Sequence, residues 1–190
     1  MMMSPSAIVA AIWIGLLAVW LLAAVTAKPA ARREFGPARL GQLAILVAAW
    51  CLLYRPRPEF GPLNERFVAD LPVVGGIGVV LALAGAAFAV WARLTIGRNW
   101  SGTITVKADH ELQTSGPYAI VRHPIYSGLL FTLLGTAVVI GEWRGLAALA
   151  LAFVGWRWKS LIEERVMTEQ FGKAYADYKR RVKALIPFVL

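Results

Sequence analysis

Side chains that hold metals or form disulfides are scarce in this chain of 190 residues, which has one cysteine, Cys51, and two histidines, His110 and His123. A single cysteine cannot pair within the chain, so an internal structural disulfide is excluded. Three such side chains are also too few for a typical structural zinc site, and we expect no bound metal. The length is that of a single domain.

Charged residues are also few, at 16% of the chain against 58% for hydrophobic residues. That balance excludes a disordered chain and most soluble enzymes. The charge is one-sided, with 20 lysines and arginines against 11 acidic residues and a formal net charge of +9. Basic clusters beside long apolar runs orient membrane proteins more often than they bind nucleic acid, so we expect a bilayer as partner and no nucleic acid.

Five apolar runs predict an all-α integral membrane protein with about five transmembrane helices. They are Ala7 to Ala27, Leu40 to Tyr54, Leu71 to Trp91, Ile125 to Gly141 and Gly145 to Trp156. The first and third have the 20 or so apolar residues that span the roughly 30 Å of bilayer hydrocarbon as a helix. Only three residues separate the last two runs, which predicts a tight C-terminal helical hairpin. A cleavable signal peptide is the alternative for the first run, but no lysine or arginine precedes it.

Lysines and arginines are unevenly distributed among the segments between these runs. With the N-terminus outside, 16 of them fall in inner segments and 4 in outer ones. This asymmetry predicts a multi-pass protein with its C-terminus in the cytoplasm. None of the runs has an ionisable residue near its middle, which argues against an ion channel, a proton pump or a transporter of charged substrates.

Polar side chains are concentrated in an inner loop at residues 97–124. Arg122 and His123 precede Pro124 there, and proline suits the first turn of a helix because its missing N–H costs nothing. The free backbone N–H groups of a helix N-terminus favour an anionic group, so a polar pocket at the membrane face is one interpretation. The alternative is that Arg122 and His123 are interfacial anchors, with Tyr118 and Tyr126 in an aromatic belt.

The tail after Lys159 holds the second polar group. Lys159 and Glu163 are four residues apart and share a face if the helix continues, where a simple salt bridge would contribute only a few tenths of a kcal/mol. Further on, apolar and aromatic side chains recur at helical spacing, namely Phe171, Tyr175, Tyr178 and Val182. The basic residues lie opposite them, and these are Lys173, Lys179, Arg180 and Arg181. This pattern predicts an amphipathic helix lying on the anionic inner leaflet.

Together these motifs resemble the isoprenylcysteine carboxyl methyltransferase family, whose wider superfamily includes the phospholipid N-methyltransferases. The motifs are Gly116-Pro117-Tyr118, Arg122-His123-Pro124-Ile125-Tyr126, Glu163-Glu164 and Phe171-Gly172-x-x-Tyr175-x-x-Tyr178. The resemblance is good over residues 93–188. It implies one membrane methyltransferase domain at 1–190, with the first two helices in 1–70 and the third helix, the catalytic core and the tail in 71–190. The loop and the tail would bind the cofactor on the cytoplasmic side.

The resemblance implies S-adenosylmethionine as the methyl donor. The positions that correspond to cofactor contacts are His110, Glu111, Leu112, Gln113, Tyr118, His123, Pro124, Ile125, Tyr126, Glu163 and Glu164. The candidate catalytic residues are Arg122, His123 and Lys159. The family's substrate-side arginine falls at Lys159, and lysine lacks the forked donor that arginine offers a carboxylate. Arg157 is therefore a second candidate for contact with the substrate.

The implied acceptor is lipid-like or prenylated, with the carboxylate of a C-terminal S-isoprenylcysteine as the best single candidate. A carboxylate is already ionised at neutral pH, so its methylation needs positioning and a partly dehydrated nucleophile rather than a general base. The amine of a phospholipid would instead need a base such as His123 or Glu164. Both acceptors stay open at this point, as does a non-catalytic membrane scaffold.

Overall fold

The computed structural model describes residues 3–25, 37–54, 61–97 and 112–190, and helices dominate these ranges. The helices are α1 (Pro5–Val25), α2 (Pro37–Tyr54), α3 (Pro72–Ile96), α4 (Pro124–Ile140), α5 (Trp143–Phe171) and α6 (Lys173–Arg181). Two 3₁₀ turns lie at Gly61–Asn64 and Gly116–Ala119. Proline stands in the first turn of α3 and of α4, where it lacks only an N–H that the helix does not use. The predicted all-α fold is confirmed.

Three of these helices, α1, α3 and α5, are long and apolar enough to cross a membrane, as judged over the described ranges. α2 and α4 are apolar but shorter. The 17 residues of α4 extend about 26 Å at 1.5 Å per residue, somewhat less than the hydrocarbon thickness. Five crossings therefore remain a prediction, and the integral membrane fold itself is established by these apolar helices.

The predicted hairpin between α4 and α5 is confirmed. Gly141 ends α4 with a φ of 72°, in the left-handed region that glycine enters without strain, and α5 begins two residues later at Trp143. The hairpin rests against the 61–70 segment, where the N–H of Phe67 donates to the carbonyl of Gly141 at 2.9 Å. Trp143 in turn donates to the carbonyl of Glu65 at 3.0 Å.

The length predicted for the fifth helix was wrong, because α5 continues well beyond Trp156. It extends over 29 residues to Phe171 and ends at Gly172, which has a φ of 50°. The apolar run ends at Trp156, but the residues that follow include neither proline nor glycine and favour a helix. At 1.5 Å per residue α5 is about 43 Å long, roughly 13 Å more than the thickness of the bilayer hydrocarbon.

Helices α3 and α4 pack closely against each other. Glycines from both helices, Gly78 and Gly85 on α3 with Gly128 and Gly135 on α4, face backbone atoms of the opposite helix. A Cβ added at any of these four positions would lie less than 3.0 Å from the neighbouring helix. Small residues of this kind allow membrane helices to approach closely.

The aromatic stripe of α6 faces the protein, so the prediction that it lies on the inner leaflet was wrong. Tyr175 and Tyr178 are both 3% exposed. The hydroxyl of Tyr178 donates to the carbonyl of Tyr118 at 2.6 Å. Since α6 follows α5 after a single residue, it can turn back toward the start of α4, and its apolar side covers the loop there.

Candidate functional site

His123 is the N-cap residue of α4, and it contacts two consecutive glutamates of α5. Its Nδ1 lies 3.5 Å from Oε2 of Glu163, and its Nε2 lies 3.3 Å from Oε1 of Glu164. The histidine side chain is 9% exposed. The structure thus joins the loop motif to the glutamate pair, which are about 40 residues apart in the chain.

Glu164 is held by three donor side chains from two parts of the chain, the loop before α4 and α6. Its Oε1 accepts from Nε and Nη2 of Arg122 at 3.2 and 2.6 Å, in addition to its contact with His123. Its Oε2 lies 2.8 Å from Nζ of Lys179 on α6. The Glu164 side chain is 3% exposed, and a buried carboxylate needs such partners. Glu164 therefore connects α5 to the loop and to α6.

Glu163 is less enclosed, with 20% of its side chain exposed. Its Oε1 accepts from the hydroxyl of Tyr126 at 2.7 Å and lies 3.7 Å from Nζ of Lys159. The predicted salt bridge within α5 is thus present, and it is part of a larger group that includes α4. Of the two glutamates, Glu163 has the carboxylate that a ligand can reach.

Aromatic rings stack beside Glu163. The rings of His123 and Tyr126 are 5.6 Å apart between centroids and 9° from parallel, and those of Tyr126 and Trp156 are 6.3 Å apart and 5° from parallel. Nζ of Lys159 lies 5.4 Å from the centroid of the Tyr126 ring, within the range of a cation–π contact. A cation therefore has two sources of attraction at this place, the ring face and the carboxylate of Glu163.

Buried residues of the loop and of the first turn of α4 form the bottom of the site. Tyr118 is 7% exposed, and its hydroxyl donates to the carbonyl of Ala92 on α3 at 3.5 Å. Pro124 and Ile125 are buried, and Ile125 packs with Tyr118 and Ala92. Burial raises the pKa of Tyr178 to about 12, so its hydroxyl remains a donor to Tyr118 at physiological pH.

Backbone hydrogen bonds join the tail to the loop. The N–H of Arg122 donates to the carbonyl of Lys183 at 2.7 Å, and that of His123 to the carbonyl of Ala184 at 3.0 Å. The guanidinium of Arg122 also donates to the carbonyl of Val182. We predicted free amides for an anion at this helix start. That prediction concerns the first turn of α4 itself, so it stays a prediction; the tail occupies the amides of Arg122 and His123, which precede the helix.

The remaining predicted residues lie at the edge of the site or outside the described ranges. His110 and Glu111 lie outside the described residues. Leu112 and Gln113 are half-buried, and Nε2 of Gln113 donates to Oγ of Ser115 at 3.0 Å. The side chain of Arg157 donates to Oγ of Ser160 at 3.1 Å. The group around His123 therefore contains Lys159, whereas Arg157 is paired elsewhere on α5.

Sequence reasoning missed the parts of the site that the tail contributes. Lys179 was assigned to the basic side of an amphipathic helix, yet it pairs with Glu164 across α6 and α5. The hydroxyl of Ser127 donates to the carbonyl of Leu185 at 2.6 Å, which fixes the tail beside the first turn of α4. No local pattern indicates such contacts, since the paired residues are far apart in the chain.

The carboxylates act on the imidazole more strongly than burial does. Burial alone would lower the pKa of His123, but hydrogen bonds and charge from Glu163 and Glu164 raise it above its ordinary value. Both ring nitrogens face carboxylate oxygens, so each is best used as a donor. His123 is therefore suited to hold the two glutamates in place and poorly suited to accept a proton from a substrate.

An apolar groove of about 640 Å³ lies along α1 and α2. Its lining includes Trp13 and Trp20 of α1, Trp50 of α2 and Leu129 of α4. Trp20 and Leu129 also pack against the cluster around Tyr118, as Tyr126 does. Two of the residues that line the groove thus contact the apolar cluster next to the site. Over the ranges that the structure describes, no cluster of three His, Cys, Asp or Glu side chains could hold a metal.

Comparison with known proteins gives a family match and several relatives. The family model described as phospholipid methyltransferase matches residues 74–174. Protein-S-isoprenylcysteine O-methyltransferase B of Arabidopsis thaliana is 33% identical over 121 residues, which are 61% of this chain and 60% of the relative. The Xenopus laevis protein-S-isoprenylcysteine O-methyltransferase is 35% identical over 121 residues, 60% of this chain and 40% of the relative. The match thus spans three fifths or less of these relatives.

A solved structure has a similar fold. It is described as the eukaryotic intramembrane Ras methyltransferase, isoprenylcysteine carboxyl methyltransferase, without a monobody. The TM-score is 0.53 at 24% sequence identity, over 82% of this chain and 54% of the other. This similarity is one of fold, and it extends over most of the helices described above.

Proposed function

Since the chain belongs to the phospholipid methyltransferase family, as the match over residues 74–174 shows, we propose that it is a membrane methyltransferase that uses S-adenosylmethionine. The observation that carries this proposal is the group around His123, where a reachable carboxylate lies beside stacked aromatic rings. The apolar groove shares Trp20 and Leu129 with the cluster next to this group, which would allow a water-soluble donor and a lipid-like acceptor to meet there.

The described residues fit the proposed cofactor. S-adenosylmethionine supplies, when bound, a methyl group activated by a positively charged sulfur. The carboxylate of Glu163 can accept hydrogen bonds from hydroxyl or amino groups, and the Tyr126 ring can attract a positive charge. Tyr118, Pro124 and Ile125 form the buried bottom of the binding site, while His123 holds Glu163 in place. By resemblance, the segment from His110 to Gln113 completes this binding site.

We further propose that the acceptor is the carboxylate of a C-terminal S-isoprenylcysteine. The groove is lined by apolar and aromatic side chains, which suit an isoprenoid chain. Lys159 lies beside Glu163 and the Tyr126 ring, where it provides a positive charge for the acceptor carboxylate. The names of the plant and animal relatives point to the same acceptor.

The contacts of His123 and Glu164 and the raised pKa of His123 favour a carboxylate over an amine as the methyl acceptor. An amine has to lose a proton before it attacks, and the two candidate bases were these residues. His123 faces carboxylates with both nitrogens and has a raised pKa, while Glu164 is occupied by Arg122 and Lys179. A carboxylate needs no base, only alignment and partial loss of water. The phospholipid N-methyltransferase alternative is favoured only by the description of the family model.

We propose that the site faces the cytoplasm, with the first residue of the chain outside. The support is the excess of lysine and arginine in the segments that share a side with the site. A topology reporter fused after Leu190 should be cytoplasmic, and one inserted between Arg55 and Asp70 should be external. Two reporters on the same side would overturn this orientation.

Calorimetry with S-adenosylhomocysteine, the demethylated donor, tests the proposed cofactor. The full chain in nanodiscs should bind it, and titration of Glu163→Ala should show weaker binding. If the unaltered chain does not bind S-adenosylhomocysteine, the methyltransferase proposal fails and a membrane scaffold becomes the better reading.

A further inference from the structure

The end of the tail forms a small apolar turn beside the membrane-facing start of α4. The N–H groups of Leu185 and Ile186 both donate to the carbonyl of Leu190 at 2.7 Å. The carbonyl of Leu185 accepts from the hydroxyl of Ser127, in the first turn of α4. Residues 185–190, called the apolar turn below, thus lie at the level where an apolar helix begins.

The side chains of this turn are strongly exposed. Phe188 is 93% exposed, Val189 71% and Ile186 43%, while the neighbouring Leu185 is buried at 2%. Exposed apolar side chains that are adjacent in this way mark a surface that meets a membrane or another protein. Phe188 also has a φ of 64°, an uncommon conformation for a residue with a side chain. The hydrogen bonds of Leu185 therefore hold the turn in place, and the apolar side chains that follow it are exposed.

Basic side chains next to the turn indicate which surface it meets. Arg181 and Lys183 are exposed at the end of α6 and in the segment that follows it. The Arg180 guanidinium and the Lys179 ammonium lie beside them, paired with Asp177 and Glu164. Apolar side chains flanked by basic ones suit the boundary between anionic lipid headgroups and hydrocarbon.

The course of α5 and α6 places this surface near the bilayer. α5 is about 13 Å longer than the hydrocarbon is thick, and a helix that crosses the bilayer from Trp143 would place Gly172 and the start of α6 away from the membrane. α6 then returns, and the backbone bonds from Arg122 and His123 to Lys183 and Ala184 bring the chain back to α4. The apolar turn is consequently close to the leaflet that contains the start of α4.

We propose that the apolar turn docks into that leaflet, with Phe188 and Val189 at the headgroup boundary and with Arg181 and Lys183 on anionic lipid phosphates. The partner is the surface of the bilayer in which the protein is embedded. Docking would steady the tail carbonyls that hold Arg122 and His123. This inference does not depend on which acceptor is methylated.

Spin labels can measure the depth of the turn in the intact protein. In a Cys51→Ser background, Phe188→Cys and Val189→Cys would each carry a nitroxide in nanodiscs of phosphatidylcholine and phosphatidylglycerol. Ala174→Cys is the matched control, because Ala174 is exposed at the start of α6, away from the bilayer. All three sites are exposed, so the labels disturb no packing, and circular dichroism verifies the helices.

Labels at 188 and 189 should collide more often with oxygen, which concentrates in the bilayer, than with a water-soluble nickel complex. The label at 174 should show the reverse preference. The difference should shrink in nanodiscs of phosphatidylcholine alone and in an Arg181→Ser, Lys183→Ser variant. Nickel accessibility at 188 equal to that at 174 would overturn the proposal. Labels shielded from both agents would also overturn the proposal and would indicate a protein partner. If the preference for oxygen over nickel did not depend on lipid charge, the role of the basic side chains would be overturned.

Discussion

Arg122 donates from two guanidinium nitrogens to a single oxygen of Glu164, at 3.2 and 2.6 Å, although 42 residues separate them. Both side chains are buried, at 7% and 3% exposure. Lys179 holds the other carboxylate oxygen at 2.8 Å. This arrangement joins the loop before α4, the extension of α5 and the returning α6, and it leaves the neighbouring Glu163 as the carboxylate open to a ligand.

Replacement of Glu164 by alanine should destabilise the folded protein. Removal of one partner from a buried ion pair leaves an uncompensated charge, at a cost of roughly 3–5 kcal/mol. Thermal unfolding in detergent, followed by circular dichroism, should show a clear drop in the melting temperature. Glu169→Ala is the matched control, since Glu169 is exposed on the same helix and should have little effect. Equal melting temperatures for the two variants would contradict the bracing role of Glu164.

Replacement of Glu163 by alanine should instead weaken cofactor binding. Charge-assisted hydrogen bonds contribute roughly 1.5–3 kcal/mol, so we expect an affinity loss of about tenfold to a hundredfold for S-adenosylhomocysteine. Isothermal calorimetry measures this loss, with circular dichroism as the check on folding. If Glu163 made only the salt bridge with Lys159 at 3.7 Å, the dissociation constant would hardly change.

Stability should depend on pH through His123. Burial lowers its pKa, but Glu163 and Glu164 raise it above the ordinary value, so the folded state favours the protonated ring. The stabilising contribution is fully present below the unfolded-state pKa, about 6.5, and is lost as pH rises through the higher folded-state pKa. The melting temperature should therefore exceed that of His123→Gln most at low pH, and the gap should narrow as pH rises. A gap that widens with pH would contradict this assignment.

A larger side chain in the apolar groove should weaken binding of the acceptor and leave binding of the cofactor unchanged. Ala10 lines the groove, so Ala10→Phe should raise the apparent KM for a prenylated acceptor severalfold, while the affinity for S-adenosylhomocysteine stays the same. Gly15→Phe on the same helix is the control, because no atom lies within 4 Å of a Cβ at that position. The same KM for both variants would show that the acceptor does not bind in the groove.

The helical fold and the loop motif could be predicted from the sequence, because both are local. Apolar runs indicate helices, and Pro124 after Arg122 and His123 indicates a helix start. The contacts made by Lys179 and Tyr178 could not be predicted, since they depend on the turn at Gly172 that sends α6 back toward α4. The same turn places the tyrosines against the protein and not against the membrane. The sequence could not distinguish the two cases, because a helix that packs on protein and one that lies on a membrane have the same periodicity of apolar residues.

Transfer of a labelled methyl group tests the central claim most directly. The full chain in nanodiscs that contain phosphatidylethanolamine would receive methyl-labelled S-adenosylmethionine and a farnesylcysteine analogue with a free carboxylate. We predict that the label appears on the analogue as a methyl ester, which dilute alkali releases as labelled methanol, and that Glu163→Ala forms far less of it at limiting cofactor. Label found instead on phosphatidylethanolamine, in a form that alkali does not release as methanol, or on neither acceptor, would contradict carboxyl methylation.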